Sequence, residues 1–375
     1  MALYNLAILG TPTQAQLNEI TEFITSTLNF FSLTLGRDVG WYVNTQVPTS
    51  GYCAAVYYAD NLSSDAKLAD LQSRGSPIIP VYTGTKLPDE LRDKNWLSYQ
   101  ELGTPRIATA LLEYAGLLPK KRRIFISYRR EQTSKAATQL FECLSARNFE
   151  VFLDTHKIRV ADDFVAAFKH ELTDSDVLIM LHTHDYFESD FTKMEFHGAH
   201  LKGIPILRIV WPKFDYDPIL SDTTVTVELT DLDFITPCSQ FSEETLQRIF
   251  ESLEHLRCKG YATRSTNLIG RLKEFVEDLN GTMLESNVNG HSIVQLANGK
   301  EIIVYPALGS PTVANLHEAA IADTTIACRA VLYDHIGLRP QWQDHLDWLA
   351  SQISAAHLLK METVDQKFQD WVIAS

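Results

Sequence analysis

Short apolar runs alternate with longer amphipathic stretches over the first two thirds of the chain, which predicts strand–helix–strand units and not hairpins. Near the N-terminus, Leu6-Ala7-Ile8-Leu9 reads as a buried strand. Thr11-Pro12-Thr13-Gln14 then reads as a helix start, with Thr11 as N-cap, Pro12 as first helical residue and Gln14 as reciprocal capping partner. Positions 52–58 and 78–82 are further strand candidates, and 104–115 reads as a closing helix before a boundary at Gly116-Leu117-Leu118-Pro119-Lys120. The middle part repeats the alternation more regularly. Its predicted strands are 123–127, 150–153, 176–181 and 205–210, with a weaker fifth at 225–229 and a final helix at 243–256. Such a pattern predicts parallel sheets covered on both faces.

The pattern changes after about residue 265. Asn298-Gly299 lies between apolar runs, as in a hairpin. Ala330-Val331-Leu332-Tyr333 is a strand candidate, and Trp342, Leu346, Leu349 and Ile353 fall at helical spacing within 341–355, the spacing of a core-facing stripe. The predicted organisation is therefore an N-terminal α/β domain over 1–118, a middle α/β domain over 121–258 and a C-terminal α/β or α+β domain over 262–375.

Two internal likenesses qualify this division. Strand, polar loop, Ser64-Asp65, helix and Gly75-Ser76-Pro77 run parallel to strand, polar loop, Ser189-Asp190, helix and Gly203-Ile204-Pro205, so Asp70 stands where Glu195 does. The N-terminal domain is then either a degenerate copy of the middle one or a unit with the same punctuation. Leu9-Gly10-Thr11-Pro12-Thr13 and Leu308-Gly309-Ser310-Pro311-Thr312 are alike too. Leu102-Gly103-Thr104-Pro105 shares the opening, which favours a general strand-exit and helix-capping device over a repeat.

Composition narrows the function. The chain has 375 residues, 45% hydrophobic and 21% charged, with a formal net charge of −14. That balance argues against bulk nucleic-acid or anionic-membrane binding, although Lys120-Lys121-Arg122-Arg123 is locally basic. The longest apolar runs are too short to span a bilayer, no signal peptide is legible, and five scattered cysteines form no Cys-x-x-Cys pair; a reduced cytoplasmic protein is expected. His182-Thr183-His184 with His197 and His200 raises a metal site, but histidines strewn over loops more often face solvent, and no metal is expected.

The middle part carries the chemistry. Ile124-Phe125-Ile126 runs into Ser127-Tyr128-Arg129-Arg130, where guanidinium groups at a strand exit can hold a pyrophosphate or buttress a loop. Asp154 closes the second strand, with Ile158 and Phe164 following. Glu195 comes six residues after Ser189 and sits beside Phe191 and Phe196. A carboxylate among aromatics is poorly solvated and suited to meeting a developing cation, whereas alone it would read as an exposed helix residue opposite Lys193 or Lys202.

These residues resemble the boxes of a Toll/interleukin-1 receptor (TIR) domain of the NAD-cleaving kind. Ser189-Asp190-Phe191-Thr192-Lys193-Met194-Glu195 is similar to the family's Ser-x-Trp-Cys-x-x-Glu, with Phe for Trp and Thr for Cys. Ser127-Tyr128-Arg129-Arg130 resembles its first box. Positions 154–164 resemble its second box and BB loop, except that Ala161 stands where Gly is usual. The resemblance covers the middle third. It implies a flavodoxin-like parallel sheet and NAD+ glycohydrolase or ADP-ribosyl cyclase activity, with Glu195 catalytic and NAD+ as substrate, not as cofactor. It further implies substrate contacts from Ser127, Tyr128, Arg129, Arg130, Asp154, Phe164, Phe191 and Trp211, the last either at the cleft or in the core. It implies self-association as well, in the manner of prokaryotic immune effectors, with a protein or small-molecule trigger read by the flanking domains. The alternatives are a non-enzymatic TIR scaffold recruiting partners through its BB loop and a nucleotide-signal sensor without catalysis.

Overall fold

A computed structural model describes residues 4–49, 52–59, 66–82, 97–118, 121–153, 164–213, 215–216, 224–236, 239–286, 291–322 and 325–373. The chain divides into two compact units, Met1–Lys120 and Lys121–Ser375.

The first unit contains β1 (Tyr4–Gly10), α1 (Gln14–Phe30), β2 (Val39–Val43), β3 (Tyr52–Ala59), α2 (Ala66–Ser73), β4 (Ile78–Tyr82), β5 (Leu97–Ser98) and α3 (Tyr99–Tyr114). Its five strands are parallel in the order β2-β1-β3-β4-β5. The helix start differs from the one expected. Thr13, not Thr11, is the N-cap of α1, and it exchanges capping bonds with Gln16. Both pairs have the same spacing, but Thr11 is held back on the sheet because its backbone N–H donates to the Tyr58 carbonyl. The expected helix at 104–115 is the second part of α3, which breaks at Gly103 with φ of 66°. Gly10, Gly103 and Gly309 all have positive φ, so the shared Leu-Gly-(Thr/Ser)-Pro opening marks a left-handed exit that glycine adopts without strain.

The second unit begins with β6 (Arg123–Ser127), α4 (Arg130–Ala146), β7 (Glu150–Leu153), α5 (Phe164–Thr173), β8 (Val177–His182), α6 (Asp190–Leu201), β9 (Ile206–Val210) and β10 (Thr224–Glu228). These strands form a parallel sheet in the order β10-β9-β8-β6-β7, the flavodoxin-like order and the same as that of the first unit. Strand alternation sorts the side chains. Ile124, Ile126, Ile179, Leu207 and Ile209 face one layer, while Phe125, Leu178, Met180 and Ile206 face the layer of α5 and α6.

A short antiparallel ribbon, β11 (Phe234–Thr236) and β12 (Gln240–Phe241), leads into α7 (Glu243–Asp278). The sequence places the end of this helix near residue 256, where Lys259 and Gly260 interrupt the large apolar positions. The helix instead continues to 36 residues, because Ala262, Ser265, Leu268, Leu272 and Val276 keep a buried stripe. Its first half packs on the parallel sheet through Leu246, Ile249, Phe250 and Leu253. Its second half packs through Leu268, Leu272 and Val276 on a second sheet. That sheet has the order β13 (Thr282–Ser286), β14 (Ser292–Gln295), β15 (Glu301–Ala307), β16 (Cys328–Tyr333) and β17 (His357–Lys360). The first three strands are antiparallel and the last pairings are parallel, connected by α8 (Val313–Ile321) and α9 (Pro340–Gln352), with α10 (Val364–Ile373) closing the layer. The hairpin expected at Asn298-Gly299 joins β14 to β15.

Candidate active site

The β6/β8 boundary is where the crossover direction of the parallel sheet reverses, the place at which such sheets open a crevice at their carboxyl edge. A cavity of about 490 Å³ lies there, lined by Tyr128, Arg129, Arg130, Glu131, Ser189, Phe191, Thr192 and Glu195. The helices α4 and α6 both start at this cavity, so their N-terminal backbone dipoles favour an anionic group in it.

Glu195 lies in the second turn of α6 and is 5% exposed, which separates it from an ordinary solvated helix glutamate. Ser127, at the end of β6, points to the α6 layer by strand alternation, and its hydroxyl donates to Oε2 of Glu195. Tyr186 lies in the single turn of 3-10 helix Tyr186–Glu188 and is fully buried, with its hydroxyl in hydrogen-bond contact with Ser127 Oγ. Burial, and then the Glu195 charge, push the Tyr186 phenol far above its ordinary pKa, so it keeps its proton. Because the one Ser127 hydrogen goes to Glu195, the chain of donors runs Tyr186 to Ser127 to Glu195. Thr192 ties the start of α6 to this turn: its hydroxyl contacts the Tyr186 carbonyl and lies 3.0 Å from the Ser189 carbonyl.

Arg129 donates from Nη1 to the Asp185 carbonyl at 3.1 Å, so it buttresses the β8–α6 loop. Gln132 donates to Asp185 Oδ2 at 2.6 Å and secures the same loop from α4. Arg130 is the first residue of α4 and exposed at the cavity rim, with Tyr128 half-buried beside it. Phe191 is 54% exposed and presents a ring at the mouth. Below the β8 exit, buried Arg208 donates from Nε to Nδ1 of His182 at 2.9 Å and lies over the Tyr216 ring. Burial, with Arg208 second, lowers the His182 pKa to about 4, which keeps the imidazole neutral. Among the described residues, no three His, Cys, Asp or Glu side chains converge as metal ligands.

The structure thus brings together Ser127, Tyr128, Arg129, Arg130, Phe191 and Glu195. It does not bring Trp211 to them. Trp211 follows β9 on the opposite face, 8% exposed and 5.7 Å from the rings of both Phe234 and Phe241, so it is part of the core. Asp154 and positions 155–163 lie outside the described residues, and of Phe164 only the backbone, at the start of α5, is described. Tyr186 is the residue that sequence reasoning missed. It stands 59 positions from Ser127, and nothing in its neighbours signals that pairing.

In the first unit, the corresponding strand exit is Gly10, where an added Cβ would lie 2.1 Å from the Tyr58 carbonyl oxygen, so no side chain can occupy Ser127's place. Asp70, in α2, is ion-paired with Arg74 in the turn that ends that helix and accepts from Gln46 at 2.9 Å, so its carboxylate is held at the surface.

No described helix is long and apolar enough to cross a membrane. No curated protein matches the chain. Among solved structures, the murein peptide ligase mpl from Psychrobacter arcticus 273-4 is similar over 99% of this chain and 98% of that one, at 8% identity and a TM-score of 0.16, too low to relate the folds. A family model described as TIR domain matches residues 124–249, and the middle third of this chain is a TIR domain.

Proposed function

We propose that the TIR domain cleaves the nicotinamide–ribose bond of NAD+, and the observation that carries this reading is the buried Glu195 carboxylate on the wall of an open cavity. In this reaction the C1′–N bond breaks and its electron pair leaves with nicotinamide, a neutral leaving group that needs no metal. The ribose is left as an oxocarbenium-like cation. Glu195, held by the Ser127 hydroxyl, stabilises that charge. Water then attacks C1′ and loses a proton to give ADP-ribose, or an adenine nitrogen attacks to give a cyclic product. Arg130 and the two helix N-termini favour the pyrophosphate, and Phe191 offers a face to a base. A scaffold that only recruits partners has no use for a carboxylate buried beside a cavity of this size.

Incubating the full chain with NAD+ and measuring nicotinamide release tests the reading. Glu195→Gln preserves shape while removing the charge, and the expected loss is about a thousandfold or more in rate. A variant within roughly tenfold of the parent, under conditions where the parent is active, would remove Glu195 from the mechanism. Specific activity that rises with protein concentration is expected if TIR–TIR contacts complete the site, and the flanking domains are then the place for a trigger.

A further inference from the structure

A second cavity, of about 780 Å³, lies within the second unit between the TIR domain and the C-terminal sheet. One wall is the C-terminal end of α6, one is the middle of α7, and one is formed by the residues following β15 and β16. The last two strands are parallel neighbours, so the cavity opens off their carboxyl ends, where parallel sheets hold ligands. Its size falls within the range of small-molecule sites.

The lining is cationic in a chain whose overall charge is −14. Lys202, Arg264 and Arg271 face the cavity, against the carboxylates Asp334 and Glu274. Lys202 Nζ and Arg271 Nη1 both approach the same oxygen, Oδ2 of Asp334, and both stop at 3.7 Å. Both are long ion pairs, so two cations share one carboxylate. Arg264 is fixed in the wall by donating to the Ser175 and Thr173 carbonyls, at 3.0 and 3.3 Å. The negative end of α6 is blunted, because the backbone N–H groups of Lys202, Gly203 and Ile204 cap its last carbonyls. Leu201 and Ile336, 87% and 55% exposed, give an apolar margin. The Gly337 turn comes so close that an added Cβ would lie 2.3 Å from Thr173 Oγ1, which fixes the Asp334 loop over the cavity.

We propose that this cavity binds a small polyvalent anion, a pyrophosphate or phosphate ester of up to nucleotide size. Lys202, Arg264 and Arg271 would take the anion, and Leu201 with Ile336 the organic part. Occupancy would draw Lys202 and Arg271 off Asp334 and towards the anion. The proposal does not depend on NAD+ cleavage.

The test is calorimetric titration of the full chain with inorganic pyrophosphate and with ATP, both without divalent metal. A saturable site that persists in Arg130→Gln is expected. Lys202→Met and Arg271→Gln should each weaken it about tenfold or more, the loss of one charge-assisted contact. Arg271→Lys should retain most of the affinity, which separates loss of charge from loss of fold. Glu195→Gln and Arg130→Gln, which alter the first cavity, should leave this site's affinity unchanged. Pyrophosphate binding as tightly as ATP would make the phosphate the whole ligand; tighter ATP would add the organic part. No binding by either probe, or binding abolished by Arg130→Gln and untouched by Lys202→Met and Arg271→Gln, would overturn the proposal.

Discussion

Ser127 spends its single hydrogen on Glu195 and receives one from Tyr186, so the carboxylate is oriented from two layers below the cavity. On the proposed function, Tyr186 is a positioning residue that acts through Ser127. Tyr186→Phe should lower kcat for NAD+ cleavage with little change in KM, and adding it to Ser127→Ala should cost almost nothing further. Fully additive losses in that double-mutant cycle would show that the two side chains act separately. His182 gives a second prediction at this scale. Its folded-state pKa, near 4, is below the ordinary 6.5, so the unfolded chain binds the proton more readily. Its contribution is complete above about pH 6.5 and is lost as pH falls towards 4, on the order of 2–3 kcal/mol in all. Urea titrations of His182→Asn, which keeps an acceptor for Arg208, should show a flatter decline between pH 7 and 4.5 than the parent; equal slopes would refute the assignment. Glu195 was legible because its spacing to Ser189 and Phe191 is local. Tyr186 and Arg208 were not, since their roles arise only where distant strands meet.

At the scale of elements, α7 is the instructive case. Its start at Glu243 was legible, and the structure shows why it begins there: Ser242 accepts from the Thr245 N–H, with Glu243 and Glu244 in the first turn. Its length was not, because a glycine within a helix normally weakens it and reads as an end. Gly260 is there for contact: an added Cβ would lie 2.2 Å from Cγ of Pro205, a ring that cannot rotate aside. Gly260→Ala should therefore destabilise the protein by about 1–3 kcal/mol despite the better helix propensity of alanine. An unfolding midpoint equal to or above the parent's would contradict this. Strands β1, β3, β4 and β6 to β9 were legible for the opposite reason. Their apolar runs are continuous, short and bounded by turn residues, and no tertiary contact is needed to see them. By contrast, β2, with Gly40 in it, and the two-residue β5 were not legible.

For the second unit as a whole, α7 supplies side chains to two cores, through Leu246–Leu253 on one side and Leu268–Val276 on the other. Buried Arg257 bonds Asp176 at 3.0 Å and the Lys121 carbonyl at 3.2 Å, and Arg122 pairs with Glu254, so the helix is also fastened by charge. Hydrogen exchange on the full chain should then find the β6–β10 sheet and the β13–β17 sheet opening together. Thr263→Pro, which breaks the helix between them, should lower protection in both. Protection lost only after residue 263 would mean that the two cores are independent. The sequence divides this region near residues 258–262 because the hydrophobic pattern thins there, and a helix shared by two cores leaves no other trace in a linear pattern.

A helix of 36 residues is a rod about 54 Å long, and a rod of closed backbone hydrogen bonds has no slack along its axis. Sliding one sheet past the other along α7 would tear Arg257 from Asp176 or Arg264 from the Ser175 carbonyl. Tilt and bend are the motions left. A tilt of only about 5° about the midpoint would swing each end by roughly 2 Å, since each arm is about 27 Å. Mechanically, the two sheets of this unit are geared to each other by a lever.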